Sequence, residues 1–565
     1  MARRCAGWTA AIAVAVLLVP MTAGATPPPE AGRGRREDRG ALILLDVYGS
    51  YEAMGRQEVE LLGAEARELA DLFGDHWRGL VRSQGAFGTV VDRLILPFWT
   101  TFGGWREDSG MYEEAAAIAR GLDASGSDGM RYLYGGVFGG GSTVFAATRS
   151  ATADGRALIG RNVDWSDDTG RRRPLVTRYH PTNGDLAHVS VSWPLIIIPL
   201  VGLNEAGLAV SINFFDADDM IGLGFPRFLY RRILQKARTV DEALALLAED
   251  GNRGGPGMLT LADATGTIAL AECAAKDCAV FRPTDDWFGH SNHSRTPAMH
   301  DRDHGRTDDT DRRRLAMEAA VRPHLGTITP AVAAEILRDR ANSPFINDAT
   351  VANLRVLNPV VVDPARRLLW HSTTQQPLAP FGEMIAIAVG DAQPDAAPIP
   401  ADPRLGSPAF QHDLATVAAM RQASRLFAIG RTGDAGALWD RLAVAPASAP
   451  MLEPRRLAWA RARVRWSTGK LAAAEALLAR ADVDEAPFEV RAHAKVVRGM
   501  IADRQGHRPA ALAHYRSAET FLAAHPGYDA PGLVGPLRRW LHDGLTAPAT
   551  AGRFPAMPDL QCIPQ

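Results

Sequence analysis

Short apolar runs, broken at regular intervals by Gly, Pro, Asn and Asp, dominate the first 390 residues. Their spacing predicts strands over Leu42 to Val47, Val144 to Ala147, Ala157 to Ile159, Leu175 to Tyr179 and His188 to Trp193. The pattern continues with Ile196 to Val201, Val210 to Asn213, Met258 to Ala262, Thr267 to Leu270 and Ala279 to Phe281. Val356 to Val362, Leu368 to Ser372 and Met384 to Val389 close the series. Helical periodicity appears from Tyr51, over 56–75 and 112–122, and at Phe228 to Gln235 and Val240 to Ala248. Strands, then helices, then strands again predict stacked sheets covered by helices, an α+β architecture. Asp154-Gly155, between two β-like runs, predicts a hairpin that returns Arg161 and Asp164 to the side of Ser142.

The pattern changes near residue 400. Asp395 to Pro403 is Pro-rich and reads as a linker, and the chain beyond it is Ala-rich and helical. Three segments share a pattern in which Gly433, Gly469 and Gly506 recur at near-regular intervals, close to the tetratricopeptide period of about 34. The expectation is a short array of tetratricopeptide-like helical hairpins, with a generic helical bundle as the alternative. Such an array offers a surface for a protein partner or for gating a substrate.

Residues 1–25 resemble a secretory signal: Arg3 and Arg4, a short apolar core from Thr9 to Val19, then Ala23-Gly24-Ala25. The apolar run is short for a membrane span, so export without stable membrane insertion is expected, to a periplasmic or extracellular location. Residues 26–39, Pro-rich then Arg-rich, are expected to be disordered. The expected organisation is a signal at 1–25, an N-terminal segment at 26–141, a core at 142–395 and a linker at 396–410. Helical repeats follow over 411–545, with a tail at 546–565. A formal net charge of −2 over 565 residues gives no nucleic-acid signal. In an oxidising compartment Cys273 and Cys278, flanking a short turn, would pair as a disulfide; two reduced thiols are the alternative.

The chemistry centres on Gly139-Gly140-Gly141-Ser142-Thr143, a glycine-rich bend running into the first strand of the hairpin. With Ala151-Thr152-Ala153-Asp154-Gly155-Arg156 and Gly160-Arg161-Asn162-Val163-Asp164-Trp165, it resembles the acyl-coenzyme A:6-aminopenicillanate acyltransferase (isopenicillin N acyltransferase-like) family. Those N-terminal-nucleophile hydrolases are related more distantly to the choloylglycine hydrolases. The segment Gly202-Leu203-Asn204-Glu205-Ala206-Gly207-Leu208 resembles the family as well. The resemblance covers roughly residues 40–395. It implies an αββα sandwich and autocatalytic cleavage of Gly141-Ser142, which leaves a small and a large chain bound together. It also implies an amidase or acyltransferase acting on a linear amide, without a cofactor. Serine at 142 departs from the family's cysteine. A serine hydroxyl needs an adjacent base, and a newly freed α-amino group, with an ordinary pKa near ~7.7, supplies one on the same residue.

The resemblance assigns supporting roles residue by residue. Asn213 is the expected oxyanion donor, Asn292 a second active-site amide and Arg312 an active-site arginine within Arg312-Arg313-Arg314. Arg161 and Asp164 are expected to set the electrostatics around Ser142. His290, His293, Asp301, Asp303 and His304 lie close in sequence, but no metal-binding spacing is present and no metal is expected. No G-x-S-x-G elbow or Walker A pattern occurs either. The competing expectation is an inactive hydrolase-fold protein that works as a binding module through its repeats.

Overall fold

The computed structural model describes residues 33–83, 85–98, 110–137, 140–165, 172–217, 228–249, 257–275, 277–340 and 350–391. Beyond these it describes 393–444, 454–484, 486–526, 528, 531–549 and 557. The signal-like segment and Gly139 lie outside the described residues.

Two sheets form the centre. The first joins nine strands: β1 (Arg35–Arg39), β2 (Leu42–Gly49), β5 (Leu175–Pro181), β6 (His188–Ser192), β7 (Val201–Asn204), β8 (Ala209–Asn213), β9 (Gly257–Ala262), β10 (Ile268–Cys273) and β11 (Cys278–Phe281), adjacent in that order. The second joins β12 (Trp287–His290), β3 (Gly140–Arg149), β4 (Gly155–Trp165), β13 (Val356–Asp363), β14 (Leu368–Ser372) and β15 (Met384–Ala388), in that order. The β2–β5 pair is parallel. Leu44, Val144, Ile159, Val189, Leu203, Met258 and Val360, drawn from both sheets, share one buried apolar cluster, so the sheets pack face to face.

Helices cover the outer faces. On the nine-stranded sheet lie α1 (Tyr51–Leu62), α2 (Ala64–Ser83), α3 (Met111–Gly121), α4 (Gly126–Val137), α5 (Phe228–Lys236) and α6 (Val240–Glu249). On the six-stranded sheet lie α7 (Asp308–Val321) and α8 (Pro330–Leu337). The expected αββα sandwich is therefore present, with helical hairpins after it. These are α9 (Pro408–Ala428), α10 (Thr432–Ala443), α11 (Pro454–Ser467), α12 (Leu471–Ala481), α13 (Phe488–Arg504), α14 (Arg508–Ala523) and α15 (Pro531–Thr546).

Two local expectations fail. Arg35–Arg39, expected in a disordered stretch, is strand β1, because it runs antiparallel along the otherwise unpaired edge of β2. Ile196 to Val201 is not a strand: Pro194 and Pro199 deny it ladder donors, and Leu195 has φ 68°, so the apolar run is a buried, irregular wall. Val201 instead opens β7. The left-handed glycine that ends the first C-terminal helix is Gly430; Gly433 lies inside α10. Residues 396–410 do join core and helices, but they lie against the core: Ile399 is buried and bridged to Met384, and α9 already begins at Pro408. Cys273 and Cys278 are paired directly across β10 and β11 and form a disulfide. Among the described residues no helix is long and apolar enough to cross a membrane.

Candidate active site

The Asp154-Gly155 turn, with Gly155 at φ 77°, folds β3 onto β4 so that Gly141 faces Asp164, Ser142 faces Val163 and Val144 faces Arg161. On the other side of β3, Val144 pairs with His290. Two residues past the end of β12, Asn292 comes level with Ser142. Alternation along the strands sorts the side chains. Ser142 and Arg161 follow the phase of Val144 and Ile159, which face the opposing sheet. Thr143 follows Phe145 toward α7 and α8.

All three polar groups of Ser142 have protein partners. Arg161 Nη2 donates to its Oγ at 2.8 Å. Its backbone N–H donates to Asn292 Oδ1 at 2.7 Å, and its carbonyl accepts from Arg313 Nη1 at 2.7 Å. A guanidinium is donor-only, so the Ser142 hydroxyl keeps its own proton to give away. The residue is buried, 3% exposed.

Arg161 is also buried. Its Nη1 donates to the Leu200 carbonyl and, at 3.2 Å, to Ser211 Oγ, so both sheets grip it. Burial, partly offset by Asp164, pushes its guanidinium down to about 9, still charged at neutral pH. Asp164 lies on the other face, beside Gly141 and 3.6 Å from Arg313. Burial holds its carboxyl above the usual range against the pull of Arg313 and Arg355. Its Oδ2 would stand 3.3 Å from a Cβ at Gly141, so an acceptor lies beside the Gly141–Ser142 bond.

Asn292 accepts from Ser142 and from Arg313 Nη2 at 3.0 Å, and its own amide donates to the Phe214 carbonyl at 3.0 Å. Asn213, at the end of β8, donates to the Ser291 carbonyl at 2.6 Å and keeps a second amide hydrogen. It lines a cavity with Ser142, Arg161, Gly140 and Gly141, completed by Val163, Trp165, Ile198, Leu200, Ile212, Phe214 and Tyr230. The cavity holds about 30 Å³, room for a water or two.

One expected residue is displaced by a single position. Arg312 is on the outside of α7, paired with Asp308 at 2.7 Å with its side chain 35% exposed. The arginine in the site is Arg313, which also touches Thr143 Oγ1 and is held by Asp309 at 2.9 Å. A step of one residue turns a helix by about 100°, so only one of the pair can face Ser142. Both arginines have an aspartate four residues earlier, so charge spacing could not choose between them. The apolar phase could have, because Met317, Ala320 and Val321 are the buried stripe and Arg313 continues it. Ser211 and Asp309 were also missed, since neither belongs to a motif.

His290, His293 and Asp303 are each engaged within the protein. His290 shares a hydrogen bond with Thr260 at 2.6 Å, and burial, reinforced by Arg295, holds it well below its usual pKa. His293 meets Asp311 at 3.2 Å, and burial pushes it down to about 4. Asp303 accepts from the backbone amides of Ser294 and Gly305.

Residues 150–371 match the family model described as Acyl-coenzyme A:6-aminopenicillanic acid acyl-transferase. Over these residues the chain is similar to that family. The match starts eight residues after Ser142, so the serine itself lies outside it. Among solved structures, similarity is found to a Caenorhabditis elegans N-acylethanolamine-hydrolyzing acid amidase ortholog, 15% identical over 40% of this chain and 93% of that one, with TM-score 0.31. A mutant conjugated bile acid hydrolase from Clostridium perfringens is 14% identical over 45% of this chain and 94% of that one, also with TM-score 0.31. Curated protein sequences give no match.

Proposed function

We propose that this chain is an exported, self-cleaving N-terminal-nucleophile enzyme that breaks linear amide bonds of N-acyl substrates through an acyl-serine on Ser142. The observation that carries this reading is the seating of Ser142, with Oγ on Arg161, N–H on Asn292 and carbonyl on Arg313, just ahead of the segment that matches the acyltransferase family model.

In the first step Ser142 Oγ attacks the Gly141 carbonyl carbon, the Gly141–Ser142 C–N bond breaks, and the amine takes the hydroxyl proton. Water then hydrolyses the resulting ester, leaving a Gly141 carboxylate and a free Ser142 α-amine. Arg161, pointing at Oγ, stabilises the negative charge that builds there during attack. Asn292 Oδ1, which already accepts from the Ser142 N–H, and the Asp164 carboxylate beside Gly141 lie where they can hold the new amine.

In the second step the amine takes the Ser142 hydroxyl proton as Oγ attacks the substrate amide carbon. The free hydrogen of Asn213 supports the oxyanion. The proton passes to the leaving amine, and water or an acceptor amine releases the acyl group. Hydrolysis is favoured outside the cytoplasm, where an oxidising location would let the Cys273–Cys278 pair stay closed. Val163, Trp165, Ile198, Leu200, Ile212 and Phe214 make an apolar wall suited to the acyl part of the substrate. Gly140 and Gly141 line the same small cavity, so cleavage beside Ser142 would enlarge it.

The test is hydrolysis of a panel of N-acyl amines of graded chain length by the purified protein and by Ser142→Ala. The reading expects turnover that depends on acyl length and vanishes in the variant. Equal turnover by both proteins would remove Ser142 from the mechanism.

A further inference from the structure

The C-terminal helices touch the core at the acidic first turn of α7, the helix that carries Arg313. At the start of α13, the N–H of Phe488 donates to Asp308 Oδ2 at 3.2 Å. A core carboxylate thereby caps a helix of the C-terminal domain, where the helix dipole favours negative charge. Tyr528 Oη donates to Asp311 Oδ2 at 3.0 Å, and the Arg306 guanidinium lies 6.0 Å from the Tyr528 ring. Tyr528 in turn packs on Phe488, with ring centroids 5.1 Å apart. Asp311 is the residue that meets His293, next to Asn292.

Between these two aspartates lies Asp309, which holds Arg313 Nε at 2.9 Å and Arg355 at 3.6 Å. Burial alone would raise the Asp309 carboxyl, but Arg313 and Arg355, with Arg456 of α11 behind them, hold it below the usual range. Arg456 is itself fixed by Glu489 of α13 at 2.5 Å. The positive side of this network therefore includes a residue of the helical domain.

A second contact reaches the site from its other side. Ala352 and Leu354 of the core pack into one buried cluster with Phe410, Val417 and Met420 of α9 and with Leu438 and Trp439 of α10. The next residue, Arg355, pairs with Asp309 and accepts the Trp165 N–H on its carbonyl at 2.7 Å. Trp165 follows Asp164 and lines the cavity. Both ends of the helical domain thus bear on residues one step removed from Ser142.

We infer that the C-terminal helical domain is a positioning element for the active site, clamping the α7 first turn so that Asp309 fixes Arg313 on Ser142. Asp309, Tyr528 and Arg456 are its positioning residues. This rests on the proposed self-cleaving reading, and it gives the helices a task within this chain before any outside partner is invoked. A guanidinium displaced by an ångström loses its line to the Ser142 carbonyl, and such displacements cost up to about 100-fold in rate.

The test uses the full-length chain. Tyr528→Phe combined with Arg456→Gln loosens the clamp from the helical side alone, and Asp309→Asn and Asp309→Glu address the link itself. The readouts are the rate at which a fragment starting at Ser142 appears, kcat and KM of the cleaved enzyme, and amide exchange across residues 308–314. The double variant is expected to exchange faster over 308–314 and, with Asp309→Asn, to cleave and turn over about tenfold slower with KM little changed. Asp309→Glu is expected to restore most of the rate. A double variant with faster exchange but wild-type cleavage and kcat overturns the proposal, as does one with unchanged exchange. So does Asp309→Asn at the wild-type rate, or Asp309→Glu as slow as Asp309→Asn. A wild-type chain that never cleaves overturns the underlying reading instead, and it is visible before any variant is compared.

Discussion

Arg161 Nη2 sits 2.8 Å from Ser142 Oγ, and the whole Arg161 side chain is buried between two sheets with no carboxylate within ion-pair distance among the described residues. Keeping a guanidinium dry without a direct counter-ion is costly, which is sensible where negative charge is about to form. Arg161→Gln, which relieves that cost, is therefore expected to keep or gain stability while kcat falls by about 10²-fold or more. Arg161→Lys, with one point charge and no fork, is expected to recover little of that rate. Steady-state kinetics beside thermal unfolding separates the two effects.

The two neighbouring arginines of α7 make a sharp contrast. Arg313→Ala removes donors to the Ser142 carbonyl, Thr143 and Asn292, and strands Asp309 and Asp164. It is expected to stop self-cleavage. Arg312→Ala removes a half-exposed pair with Asp308, the kind of contact worth about 0–1 kcal/mol. Its cleavage rate is expected to stay within about twofold of wild type on the same small energy scale. Following both variants on one gel time course decides it.

Glycines 140 and 141 are predicted to differ in what a methyl group does. At Gly140 a Cβ would run into the Trp165 ring, so Gly140→Ala is expected to misplace β3 and the cavity wall together. At Gly141 a Cβ would meet Asp164 Oδ2 at 3.3 Å and Arg313 Nη2 at 3.4 Å. Gly141→Ala is expected to fold but to cleave slowly, as those two groups shift. Unfolding midpoints of freshly purified chains, set beside cleavage rates, distinguish the cases.

Glu58 gives a pH prediction. Burial, with the nearby Glu114, pushes its carboxyl up to about 7, above an ordinary value of 4.5. The folded chain therefore binds this proton more tightly than the unfolded one. The stability it lends is complete below about 4.5 and is lost as pH rises toward about 7. Glu58→Gln keeps an acceptor for the Leu195 N–H, 3.0 Å away in the wild type, and removes the titration. The unfolding midpoint of wild type relative to Glu58→Gln is expected to fall between those pH values. A pH-independent difference would show that Glu58 does not titrate in this window.

Much of the site was legible because it is local. The Asp-Gly turn fixes the β3–β4 register, and register alone brings Arg161 and Asp164 to Ser142. Stacked sheets covered by helices followed from strand-length apolar runs separated by amphipathic helices; the αββα sandwich itself was implied by the family resemblance. What was not legible depends on a phase or on a distant partner. Arg313 was lost to Arg312 by one residue within a run of three arginines. The stretch from Trp193 to Leu200 is as apolar as a strand, yet its prolines and the positive φ of Leu195 make it a wall. Arg35–Arg39 looks like a charged tail until β2 offers it an edge. Nothing local announces that α13 starts on Asp308, because that contact spans 180 residues.

The central claim stands or falls on one bond. Intact mass and amino-terminal sequencing of the purified protein, beside Ser142→Ala, report directly on Gly141–Ser142. The account predicts two fragments in the wild type, one starting Ser142-Thr143-Val144, and a single chain in the variant. An uncleaved wild type, or a Ser142→Ala chain cut at the same place, would contradict it.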